Sequence, residues 1–175
     1  MEPFKEILAA GGHANSLGRS GEVLEAVRTD NTKMDELFEC ISHEDAWVRM
    51  RAIDTFEKLV NEKPELAGPY LDAIFTKLTK SDQPSIQWHL AQIFNEVTLN
   101  DDQQKQAVLW LKQRIKTTDV DWIVSANTMK TLLSFCKKGI VSDDELRPLF
   151  ETQTAHDSKS IRKKATGFLQ ELKSA

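Results

Sequence analysis

The chain has 175 residues, 40% apolar and 29% charged, with only 7 glycines and 5 prolines. That composition suits one helix-leaning globular domain and argues against disordered, collagenous or strand-rich chains. Its formal charge of −4, from 23 basic and 27 acidic side chains, gives no overall attraction to a phosphate backbone.

The first predicted elements are two short helices, Met1 to Ala10 and Glu22 to Arg28, joined by a flexible Gly11 to Gly21 turn. The apolar stretch Ile7-Leu8-Ala9-Ala10 is too short for a signal-peptide core or a bilayer span, so a cytoplasmic protein is expected. Helix pairs follow. Their leading helices are expected at Met34 to Ile41, Tyr70 to Leu78, Gln104 to Ile115 and Glu145 to Phe150. Start signals support them: Asn31 or Thr32, Pro69 at a first turn, Asn100-Asp101-Asp102, and a capping box at Ser142-Asp143-Asp144-Glu145. Pro148 falls late enough to kink the last.

The second helices carry an internal register. Segments anchored at Val48, Ile86, Val124 and Ile161 lie 38, 38 and 37 residues apart. Four residues beyond each anchor stand Ala52, Leu90, Thr128 and Ala165; eight beyond, Phe56, Phe94, Leu132 and Leu169; eleven beyond, Leu59, Val97, Phe135 and Leu172. Those offsets trace one face of a helix with 3.6 residues per turn. Neither helix of such a pair covers its own apolar face, so the pairs are expected to stack into one core.

The second helices Asp45-Ala46-Trp47-Val48-Arg49-Met50-Arg51-Ala52 and Lys159-Ser160-Ile161-Arg162-Lys163-Lys164-Ala165 resemble the HEAT-repeat pattern: a turn residue, Val-Arg, then Ala three beyond the Arg. The likeness covers roughly Thr32 to Leu172 and extends to small bacterial HEAT-repeat proteins through Val48 to Ala52 and Trp88 to Gln92. Gln87 and Ser125 depart from it in the Arg slot, Leu90 and Thr128 in the Ala slot. The resemblance implies an all-α fold: a right-handed α-α superhelix, armadillo-like, of about four helix pairs with an N-terminal helical cap. The expected division is a single domain over 1–175, with the cap at 1–30 and repeats at 31–63, 64–99, 100–139 and 140–175. It implies a scaffold and no chemistry.

Three, six and ten residues beyond each anchor runs a stripe without large apolar side chains: Arg51, His89, Asn127 and Lys164; Asp54, Gln92, Lys130 and Gly167; Lys58, Glu96, Ser134 and Glu171. The resemblance would put this stripe on or near a concave groove. It reads either as a solvated face or as a docking surface using Arg51, Asp54, Lys58, His89 and Gln92. Trp47 and Trp88 lie off the predicted core face beside it, as caps on the core or as anchors for a partner. Trp110 belongs to a leading helix and Trp122 lies near a turn.

Catalytic patterns are missing from the sequence. His13, His43, His89 and His156 show no metal-ligand spacing, and Cys40 and Cys136 have no CxxC partner and read as reduced core thiols. Gly11 to Gly21 lacks the phosphate-loop signature, and no nucleophile motif occurs. Residues 1 to 45 carry a local balance of −6, whereas Lys159, Arg162, Lys163 and Lys164 cluster basic charge in the last helix. The expected function is a non-enzymatic, monomeric adaptor without cofactor or metal, binding a protein or peptide through its second helices. The alternative is a DNA-binding or base-excision protein, resembling HEAT-like alkylpurine glycosylases. It would use Trp88, Asp54 and Arg51 at a base, with Lys159, Arg162, Lys163 and Lys164 meeting phosphate.

Overall fold

The computed structural model describes residues 2–13 and 16–174. Met1, Ala14, Asn15 and Ala175 lie outside them, and with them part of the expected Gly11 to Gly21 turn. Every regular element among the described residues is helical: the protein is all-α. No helix of the described residues is long and apolar enough to cross a membrane. The chain divides into two compact units, Met1–His89 and Leu90–Ala175.

The first unit begins with α1 (Phe4–Ala9), α2 (Ser20–Thr29) and α3 (Met34–Cys40), all of which pack on α4 (Ala46–Glu62). A 3-10 turn over Pro64–Tyr70 leads into α5 (Leu71–Thr76), and α6 (Pro84–Glu96) carries the boundary between the units. The second unit continues with α7 (Asp101–Arg114), α8 (Trp122–Lys137), α9 (Asp143–Gln153) and α10 (Lys159–Ser174).

Helices α4, α6, α8 and α10 begin at Ala46, Pro84, Trp122 and Lys159, in the register of the sequence anchors. Of the positions that define that register, all but Val97 and Leu169 are buried. Each buried Phe or Leu side chain contributes roughly 1.5–3 kcal/mol relative to exposure, so the stripe is the main adhesive of these helices.

Caps follow the polar residues that precede the apolar runs. Asn100 and Ser142 both form complete capping boxes, with Gln103 and Glu145 bonding back. Neither Asn31 nor Thr32 caps α3, which starts after Lys33 without a side-chain cap; Asp30 instead caps the 3-10 turn Asn31–Lys33 that leads into it, its carboxylate accepting from the Thr32 N–H at 3.1 Å. Pro69 lies inside the 3-10 turn, not at the start of an α-helix. Helix α9 continues through Pro148 as far as Gln153.

One interaction recurs where first helix meets second. Arg49 Nη1 donates to the carbonyls of His43 and Glu44, both at 2.8 Å. Arg162 Nη1 makes the same bonds to His156 and Asp157, both at 2.7 Å. His43 Nδ1 accepts from Asp45 N–H and His156 Nδ1 from Ser158 N–H, so these histidines are turn residues. Gln87, in the same slot, donates from Nε2 to the Ser81 carbonyl at 2.9 Å. Ser125 is too short to reach back. In its place Gln153, fully buried, donates to the Ile115 and Thr117 carbonyls and accepts from Ser125 Oγ at 2.8 Å. Carbonyls at these helix ends and turns are thus satisfied by different side chains: Arg49, Gln87 and Arg162 from the helix that follows, and Gln153 from α9.

Candidate functional site

Asp45 begins the site by capping α4: its carboxylate accepts from the Trp47 N–H at 2.7 Å, which fixes the first turn. Trp47 then projects outward, 40% exposed. One turn further on the same helix stands Arg51, and here the expected polar stripe divides.

Arg51 is 3% exposed. Its Nη1 donates to the Leu8 carbonyl at 2.6 Å, Nη2 to Gly11 at 2.9 Å and Nε to Ser16 at 2.9 Å. The guanidinium therefore gathers the end of α1 and both sides of the following turn around one planar fork. Gly12 and Gly18 crowd it: a Cβ at Gly12 would lie 3.3 Å from Nη2, and one at Gly18 would lie 3.0 Å from Cζ. Arg51 thus lies beneath the N-terminal segment rather than open to solvent.

His89 is also turned inward, at 1% exposure. Its ring stacks on Trp88 with centroids 3.4 Å apart. Neither ring nitrogen has a hydrogen-bond partner among the described residues. Asp54 Oδ1 lies 3.9 Å from Nε2 and Glu57 Oε2 lies 3.9 Å from Nδ1. Burial, and secondarily the Lys58 ammonium, push the imidazole down to about 3, so it is neutral. Among the described residues no three His, Cys, Asp or Glu side chains converge on one point as a cation cage.

The remaining stripe residues lie nearer the surface. Lys58 donates to Asp54 Oδ2 at 2.6 Å, with side-chain exposures of 40% and 13%. Gln92 is half-buried, its Oε1 without a hydrogen-bond partner among the described residues, and Trp88 is half-buried. The fold thus brings Asp54, Lys58, Trp88 and His89 together, and separately Trp47 and Arg51. In the last helix Lys159, Arg162, Lys163 and Lys164 are exposed, with Arg162 engaged on the preceding turn. Cys40 is buried, Cys136 is half-buried, and both are free thiols.

A cleft of about 210 Å³ opens beside Trp47, walled by Ala9, Gly11, Gly12, His13 and Asp45 with Arg51 at its inner end. The sequence reading of Gly11 to Gly21 as a simple turn missed it. Its signal was available only in part, as a Gly-Gly-His run followed by Arg51, since nothing local says that the two segments meet. No family model, curated protein or solved structure matches the chain.

Proposed function

We propose that the chain is a HEAT-type interaction module, a non-enzymatic array of helix pairs that docks a protein or peptide at the start of α4. The 38-residue register and the recurrent Arg49, Gln87 and Arg162 back-bonds support the HEAT reading. Trp47 carries the docking reading: it is a large aromatic, 40% exposed, rooted on a capped helix and bordering a polar cleft. An anchor of that kind supplies contact area at little cost in side-chain entropy. Docking contacts come from Trp47 and the cleft rim, while Asp54, Lys58 and Trp88 form a separate cluster of the same unit. Arg51 and His89 act from beneath, by holding the turn and the helix in place.

The test is immobilised full chain against variants. Trp47→Ala is expected to abolish retention of a specific partner, whereas Trp122→Ala, which removes a tryptophan 52% exposed elsewhere, leaves it unchanged. Equal retention by both variants would sink the assignment.

A further inference from the structure

Helix α10 carries a charge arrangement that its own fold does not use. The first turns of α7 and α9 hold Asp101 and Asp102, and Asp143, Asp144 and Glu145, as the helix dipole favours. No acidic residue stands in the first turn of α10, which opens on Lys159 and continues with Arg162, Lys163 and Lys164. Cations at that end weaken a helix. Arg162 is accounted for by its Nη1 bonds to the His156 and Asp157 carbonyls. The three lysines are exposed, and none forms a hydrogen bond or ion pair among the described residues. Carboxylates close in sequence do not balance four cations: Asp157 is a single charge, and Glu171 of the same helix is held by Lys137 at 2.7 Å. Folding leaves the lysines unexplained.

We propose that this face of α10 binds the phosphate backbone of a nucleic acid, on Lys159, Lys163, Lys164 and the free edge of the Arg162 guanidinium, without reading bases. Lys159 and Lys163 stand one turn apart, about 6 Å along the axis, with Arg162 and Lys164 to either side. Ile161 and Ala165 are both fully buried, so no large apolar side chain is exposed between the cations. That removes the insertion on which a membrane-surface helix depends. No aromatic residue occurs between positions 159 and 166, so bases have no stacking platform. An acidic protein would offer such a patch only exposed ion pairs, which contribute little. A nucleic acid also releases condensed counterions as its phosphates are neutralised, which favours it as the partner. The overall charge of −4 is set by residues 1 to 45, which balance at −6. This activity is separate from docking at α4, since it uses another helix in the other unit.

The experiment is fluorescence anisotropy of labelled duplex DNA and, separately, of labelled single-stranded RNA, titrated with the full chain between about 50 and 200 mM potassium chloride. Four phosphate contacts give an expected slope of log K against log salt of about −3.6 on the duplex and about −2.8 on the single strand. The first is a loss of roughly 150-fold over that range. Lys163→Gln with Lys164→Gln removes two contacts, so the duplex slope should shrink to about −1.8. Thermal unfolding of this double variant should stay unchanged or rise, because two cations leave the helix start. Lys105→Gln with Lys130→Gln, at exposed positions of the same unit, should leave the slope unchanged. Tighter binding in either arm supports the proposal and names the form of nucleic acid. No binding with up to about 0.1 mM chain at the lowest salt, an undiminished slope in the first double variant, or an equal loss in the second would overturn it. So would binding confined to poly-glutamate or to phosphatidylserine vesicles.

Discussion

Arg51 Nη1 donates to the carbonyl of Leu8 at 2.6 Å, across 43 residues of sequence. This bond, with those to Gly11 and Ser16, ties α1 and the segment that follows it to α4. Arg51→Ala leaves a buried carbonyl at Leu8 without its donor, and each such loss costs about 1–3 kcal/mol. A decrease of about 3 kcal/mol in urea unfolding is expected, together with faster proteolysis between residues 10 and 18. Arg51→Lys, with a point charge in place of a fork, should recover only part of it.

Gly18 and Gly139 both have positive φ, at +52° and +75°, but only one is crowded. A Cβ at Gly18 would lie 2.8 Å from the Ala10 carbonyl oxygen, whereas at Gly139 no atom of the described residues lies within 4 Å. Gly139→Ala should therefore cost only the left-handed backbone penalty of about 1–2 kcal/mol. Gly18→Ala should cost more and displace the turn, which thermal unfolding of the pair would reveal in the difference between them.

Gln153 should be the most sensitive polar position of the second unit. It is fully buried and holds the end of α7 through the Ile115 and Thr117 carbonyls while accepting from Ser125. Gln153→Ala is expected to destabilise by about 3 kcal/mol, and a double-mutant cycle with Ser125→Ala to give a coupling of about 1 kcal/mol. Additive losses would show that the Ser125 bond contributes nothing.

Acid should weaken the fold partly through His89. Its folded pKa, pushed down to about 3 by burial and then by Lys58, lies below the unfolded value of about 6.5. Between those values the unfolded chain binds the extra proton. The contribution is thus complete above about pH 6.5 and declines as pH falls towards 3, by at most about 1.4 kcal/mol per pH unit. Asp54, Glu57 and Lys58 face the ring, and stacked Trp88 covers it. His89→Phe should flatten this part of the urea-stability profile between pH 6.5 and 4, and an unchanged slope would show that other groups set it.

Cysteine reactivity should be unequal. Burial first, then Glu36 and Glu39, push the Cys40 thiol up to about 11, so little thiolate exists at neutral pH. Cys136 is only half-buried, although burial raises it as well. Disulfide-exchange reagents should label Cys136 first, and Cys136→Ser should remove the faster phase.

The register of the second helices was legible in the sequence because amphipathic periodicity is a local property. Val48, Ile86, Val124 and Ile161 declare which face turns inward whatever covers it, and Asn100 and Ser142 declare where helices start. What became of the polar positions was not local. Arg51 and His89 read as members of one stripe, yet each is buried by contacts from residues more than thirty positions away: Leu8, Gly11 and Ser16 for the first, Asp54 and Glu57 for the second. The replacement of a short Ser125 by Gln153, 28 residues later, is equally invisible to a spacing argument. Helix type and inward face follow from the order of residues along one segment. Which polar side chains reach solvent is decided by the segment laid over them, and only the tertiary structure supplies that.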